Sequence, residues 1–249
     1  MDGLATIEEL IRALGGATTL DELAAALGVA AGTMGFRYFA LTHHIDVRRT
    51  RAPVIRLHNY PKQWADYFDD HELGVRDPVH RASHLIGAGF SWSQLPDLIR
   101  LTPSDRRVLA LARRAGIGEG YTVPANIPGE MHGSCSFATD RAVPLEPGML
   151  PLAQWTGAFA FECARRLRGL RGGRQRMVPR LTDRQRQCLI WVAQSKSDWE
   201  IGIILGISPE TVRQHVRDAC ARYGVSKRTS LVIRALYDGT ISFSDIFWR

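Results

Sequence analysis

Residues 165–180 read RRLRGLRGGRQRMVPR, with seven arginines, a Gly-Gly pair and Pro179. The glycines and the proline break a helix, and so dense a run of positive charge stays in water. A core cannot pass through it. The chain must fold in two parts, as its 249 residues also suggest. The boundaries that follow are 1–168 for a first domain, 169–180 for a basic linker and 181–249 for a second domain. The linker arginines could touch phosphate, although solvation alone accounts for them.

Charge separates the two parts. Residues 1–173 carry 19 Lys and Arg against 18 Asp and Glu, whereas 174–249 carry 13 against 7. A small basic module beside a neutral one suits a polyanion partner, and a merely solubilising surface suits it equally. The apolar fraction of 45% supports a substantial core. No apolar run approaches the ~20 residues that span a bilayer. The start, MDGLATIEEL, is acidic and helical in pattern, unlike a signal peptide. Cys135, Cys163, Cys188 and Cys220 form no CxxC pair, so buried thiols in a reducing cytoplasm are expected, with no disulfide framework or structural zinc.

Leu4, Ile7, Leu10, Ile11 and Leu14, then Leu20, Leu23, Ala24 and Leu27, recur at helical spacing, with Asp21 or Thr19 available to cap the second helix. Strands are expected at 34–41 and 53–59, then a helix with Pro61 at its first position. Further along, the pattern gives a short helix after Pro78, a strand near 87–92 and a helix over 104–115. Strands at 120–125 and 133–138 follow, then a long helix over about 148–168. The fold class is α+β: an N-terminal α-β-α sandwich around an antiparallel sheet, with a C-terminal all-α four-helix helix-turn-helix domain.

The second domain is the more explicit. Segments 199–205 and 209–223 are joined by Gly206-Ile207-Ser208, the short turn of a helix-turn-helix, and Thr182, Ser197 and Ser208 stand where caps belong. Val212, Val216 and Ala219 share the core face of the second helix. Arg213, Gln214 and Arg217 share another, with Thr211 and His215 at its edge. Arginine can bond guanine in bidentate fashion and glutamine adenine, so that face can read a major groove. Lys196, Lys227 and Arg228 sit at turns and helix ends, where phosphate contacts are common. A solvated polar face would carry the same residues. LT-x-R at 181–184, EI at 200–201, ILGIS at 204–208, TV-x-x-HV at 211–216 and GV at 224–225 together resemble the DNA-binding domain of LuxR-type transcription factors. The resemblance implies double-stranded DNA as a partner, homodimers and contact with RNA polymerase. It departs at Gln185 and Gln187, where the family usually has glutamates, and at Gly202 in place of alanine. Gln185 would weaken a buried ion pair or a cap.

The first domain contains HNYPKQWADYF at 58–68, then Asp77 and Trp92. Taken singly, Tyr60 and Trp64 are ordinary core aromatics and Asp77 before Pro78 is a helix cap. Their joint spacing is similar to that of the acyl-homoserine-lactone-binding domain of LuxR-type quorum-sensing receptors, as are TVP at 122–124 and GSCSFA at 133–138. The resemblance implies a small-molecule acyl-homoserine lactone as ligand. Trp64 would donate to the lactone carbonyl, Asp77 would accept from the amide, Tyr60 and Ser136 would donate to the acyl carbonyl, and Trp92 would wall the ring. Phe68 stands where the family often has a second tyrosine. A strand over 53–59 would turn Val54, Arg56 and His58 to the same face as Tyr60. The Arg56 head would then snorkel to solvent, or meet a polar group that the usual signal lacks.

The function expected is a ligand-responsive transcriptional regulator of quorum sensing, cytoplasmic, without membrane or cofactor, dimerising through the long helix and part of the C-terminal module and binding a palindromic site. Two alternatives remain: an orphan regulator sensing a non-lactone molecule, and one acting without ligand. An enzyme is disfavoured. His43, His44, His80, His84 and His132 lack metalloprotease spacing, and there is no GxSxG or Walker loop.

Overall fold

The computed structural model describes residues 3–46, 53–170 and 178–247, which divide into two compact units: the first holds the described residues up to 127 together with 131–170, the second 128–130 together with 178–247. Most of the expected linker, 171–177, lies outside the described residues. Among the described residues no helix is long and apolar enough to cross a membrane.

The first unit opens with α1 (Gly3–Gly16) and α2 (Leu20–Thr33). Thr19 caps α2, its hydroxyl accepting from the Glu22 N–H at 3.2 Å. Strands β1 (Tyr38–His43) and β2 (Arg56–His58) follow, then α3 (Lys62–Asp70), α4 (Leu73–Arg76) and α5 (Pro78–Ser83). After β3 (Phe90–Ser91) come α6 (Leu95–Leu98), α7 (Pro103–Arg114), β4 (Gly120–Ala125), β5 (Gly133–Ala138) and α8 (Leu150–Leu167). The sheet is antiparallel in the order β2-β1-β5-β4-β3.

Several boundaries move from those expected. Met34 and Phe36 are buried in the turn before β1, which starts at Tyr38. The strand expected over 53–59 shortens to β2. Pro61 is the N-cap of α3 rather than its first helical residue, because its ψ of 134° is extended.

Alternation along the strands gives the sheet two different faces. Phe39 and Leu41 lie opposite Phe137 and Cys135, which lie opposite Tyr121 and Val123. These residues form one continuous core with Leu14, Leu23 and Leu27 of α1 and α2 and Ala153, Ala160 and Phe161 of α8. On the other face Ala40 and Thr42 lie opposite Ser136 and Ser134, and Ser136 opposite Thr122. That face is polar or small, and α3, α5 and α7 cover it around a cavity.

The second unit comprises α9 (Asp183–Ala193), α10 (Asp198–Leu205), α11 (Pro209–Arg222) and α12 (Arg228–Tyr237), with a short α13 (Phe243–Phe247) after the four helices expected. Cys188, Leu189, Ile190, Ile201, Val212, Val216, Ala219 and Leu231 make its core. Thr182, Ser197 and Ser208 all cap helices. The expected weakening at Gln185 does not occur at the cap. The Thr182 N–H donates to Gln185 Oε1 at 3.0 Å and the Gln185 N–H to Thr182 Oγ1 at 3.2 Å, a complete capping box without a charge. Gly206 ends α10 at φ 67°, and a Cβ on Gly202 would come within 2.7 Å of the Ile207 carbonyl oxygen, so the glycines let the turn close tightly.

Candidate functional site

A cavity lies between the polar face of the sheet and α3, α5 and α7. Tyr60, Trp64, Phe68, Asp77, Trp92, Ser136 and Arg56 all line it. Val54 does not. It precedes β2, which begins at Arg56, so the regular alternation that would turn Val54 inward does not extend back to it. Val79, Val108, Leu109, Ala112 and Ile117 supply an aliphatic wall.

The polar atoms of this lining are arranged by the elements that carry them. Asp77 caps α5, with Oδ1 accepting from the Val79 N–H at 2.8 Å and the His80 N–H at 3.1 Å. Both bonds use one oxygen, and Oδ2 has no partner among the described residues. Neither the Trp64 indole N–H nor the Tyr60 hydroxyl has a protein partner there either. Burial, and then the nearby Asp77 charge, raises the Tyr60 pKa far above its ordinary value, so the hydroxyl keeps its proton.

Trp92 is held by Thr122, the first residue of the TVP motif, to which sequence reading gave no role of its own. Its indole N–H donates to Thr122 Oγ1 at 2.8 Å, and Thr122 Oγ1 is 2.8 Å from Ser136 Oγ. Since indole only donates, Thr122 accepts from it and can pass its own proton to Ser136. The Ser136 O–H is then left to donate into the cavity. The signal for Thr122 lay in the pairing of β4 with β5, which sets it opposite Ser136. Trp92 can lie flat against β4 because residue 120 is glycine: a Cβ there would sit 2.5 Å from the indole ring.

Beside the cavity four histidines from distant positions meet. His44 Nδ1 is 2.8 Å from His84 Nε2, and His44 Nε2 is 2.9 Å from Ser134 Oγ. The rings of His44 and His80 stack with centroids 3.8 Å apart, and those of His84 and His132 at 4.3 Å. His80 also lines the cavity. Among the described residues no cluster of His, Cys, Asp and Glu has the geometry to hold a metal. Burial first, and then the neighbouring imidazoles, push the His44 pKa well below its ordinary 6.5, and push His84 to about 4. The unfolded chain therefore binds more protons than the folded one below pH 6.5. The stability from these neutral rings is complete above that pH and declines as pH falls from 6.5 towards 4. Melting at stepped pH should show this decline, and His84→Gln should flatten it. An identical pH profile in the variant would exclude His84 as its source.

In the second unit Arg213, Gln214 and Arg217 stand exposed on α11, opposite the buried Val212, Val216 and Ala219. They are not free of partners. Arg213 Nη1 is 2.5 Å from Glu210 Oε2, Arg217 Nη2 is 2.9 Å from Glu210 Oε1, and Gln214 Nε2 donates to Asp218 Oδ1 at 2.6 Å. Asp198 pairs with Arg228 and lies 3.6 Å from Arg213 Nε. Thr211 bonds Ser208 at 2.8 Å at the start of α11, and His215 is half-buried on its flank. Lys196, in the turn before α10, pairs with Glu200 at 3.4 Å. Lys227 is exposed at the N-cap of α12, beside Arg228. The acidic partners Glu210 and Asp198 were not anticipated from sequence.

Comparison with known proteins agrees with both halves. Residues 19–164 match the autoinducer binding domain family, and residues 179–235 match the family of bacterial regulatory proteins of the LuxR type. Among curated relatives, the HTH-type quorum sensing-dependent transcriptional regulator RpaR of Rhodopseudomonas palustris is 31% identical over 196 residues, 78% of each chain. The transcriptional activator protein AhyR of Aeromonas hydrophila is 26% identical over 89% of this chain and 86% of its own. The crystal structure of Escherichia coli SdiA superposes with a TM-score of 0.64 at 23% identity, covering 96% of this chain and 98% of that one, a likeness of fold. With an autoinducer-binding domain ahead of a LuxR-type helix-turn-helix, the chain belongs to the LuxR-type quorum-sensing transcriptional regulators and is not an enzyme.

Proposed function

We propose that this regulator senses an N-acyl-homoserine lactone in the cavity of its first unit and binds a palindromic DNA site as a homodimer, acting in the cytoplasm. Residues 1–168 then form the sensing and dimerisation domain, 169–180 the linker and 181–249 the DNA-binding domain. One observation supports the ligand reading: Trp64, Tyr60 and Asp77 line one cavity, and the Trp64 N–H, the Tyr60 O–H and Asp77 Oδ2 have no partners among the described residues. Two donors and one acceptor complement the two carbonyls and one amide N–H of the lactone. Trp64 serves the lactone carbonyl, Asp77 the amide, and Tyr60 with Ser136 the acyl carbonyl. Trp92 walls the ring and Phe68 packs along the chain.

The dimer reading rests on α8, although less of that helix is available than its sequence promised. Leu152, Phe161 and Cys163 are buried against their own sheet, and Trp155, 61% exposed, is the large apolar residue left outward. A two-fold pair would present two copies of α11 to two half-sites. Arg213, Gln214 and Arg217 would contact bases, while Thr211, His215, Lys196, Lys227 and Arg228 would contact phosphate or the groove edge.

The test is the melting temperature of the purified protein with a panel of acyl-homoserine lactones. A ligand at a hundredfold excess over its Kd should raise it by roughly 5–10 °C. If the folded, DNA-binding protein shifts with no lactone, the cavity serves a non-lactone molecule or none.

A further inference from the structure

The cavity is polar at two places, and the lactone head accounts for only one of them. Arg56 and Thr42 are paired across β2 and β1, and His58, two residues along the same face, is paired with Ala40. All three line the cavity. Arg56 does not snorkel to open solvent. Its Nη2 is 2.6 Å from Asp69 Oδ1, with the two side chains 21% and 27% exposed, and its guanidinium lies 5.9 Å from the centre of the Phe68 ring. The pair also borders a second, smaller cavity, whose lining shares Arg56, Phe68 and His80 with the first. The ion pair is thus a partition at the end of the site. Two further groups beside it lack partners: His58 Nδ1 is buried with no hydrogen bond, and the Thr42 hydroxyl has none among the described residues.

Building on the lactone reading, we propose that Arg56, Thr42 and His58 select an acyl chain that ends in an oxygen-bearing, hydrogen-bonding group. A saturated alkyl terminus there would strip water from a guanidinium, a hydroxyl and an imidazole nitrogen and return nothing. A terminal hydroxyl accepts from Arg56 and donates to Thr42 or to His58 Nδ1. Burial, and then the Arg56 charge, lowers the His58 pKa, which keeps that ring neutral and one of its nitrogens an acceptor. The partition also sets the length, since a longer chain must break the Arg56–Asp69 pair to enter the second cavity.

The experiment compares two series of homoserine lactones by calorimetry on the full chain. One has ω-hydroxyacyl chains of increasing length, and the other has alkyl chains with the same number of heavy atoms. At the best-fitting length the hydroxylated member should bind about tenfold more tightly. Thr42→Val, which changes the shape little, should narrow that preference. Arg56→Leu combined with Asp69→Leu, which leaves no unpaired charge, should reverse it in favour of alkyl chains. If the alkyl member binds as tightly or more tightly at every length, the inference is overturned while the lactone reading stands. If neither series binds, both fall together.

Discussion

Asp77→Asn should leave the protein folded and abolish its lactone-induced rise in melting temperature, whereas Asp77→Ala should lower the melting temperature even without ligand. The two outcomes separate because the carboxylate serves two ends at once. Oδ1 accepts the Val79 and His80 N–H groups at the start of α5, and asparagine, a good N-cap, keeps that oxygen. Oδ2 becomes an NH₂ group, which sets a donor against the donor of the ligand amide. Alanine removes both functions, and loss of the cap alone costs about 1 kcal/mol. Circular dichroism melts with and without the lactone distinguish them. A full ligand shift in the asparagine variant would remove Asp77 from the site.

Arg213→Ala and Arg217→Ala should each weaken binding to the preferred DNA by about 1–3 kcal/mol, roughly 5- to 150-fold, with melting temperature unchanged. Both side chains are more than half exposed and point away from the core, so their loss leaves no cavity. Glu210→Gln should do the reverse. One carboxylate holds both arginines, at 2.5 and 2.9 Å, and a phosphate or base must displace it before either can be read. Fluorescence anisotropy over a range of salt, with duplexes selected from a random pool by the unmodified protein, tests all three variants. Arginine variants that bind those duplexes as tightly as the parent would transfer recognition to another face.

The elements legible from sequence were those whose cause is local. Strands β4 and β5 were placed at 120–125 and 133–138, where they are found, and the three C-terminal caps follow from a serine or threonine ahead of a helical period. From sequence Asp77 reads as a cap or a ligand partner; in the fold it caps α5 through Oδ1 and also lines the cavity. What escaped was non-local. Thr122 matters through its pairing with Ser136 and Trp92, His44 meets three histidines up to 88 positions away, and Arg56 on β2 meets Asp69 on α3. Val54 failed for a different reason. Period-2 alternation holds only within a strand, and β2 begins two residues later.

The sheet of the first unit has one face closed by a continuous hydrocarbon core and another that closes around a cavity. The first face needs nothing further, so α1, α2 and α8 can hold their places while the layer containing α3 to α7 opens. Such an opening would expose backbone to proteases, and a ligand filling the cavity would make it rarer. A signal acting this way would lengthen the working life of each chain, and a cell could then register it as a rise in the regulator's abundance, before any change in the shape of an individual molecule.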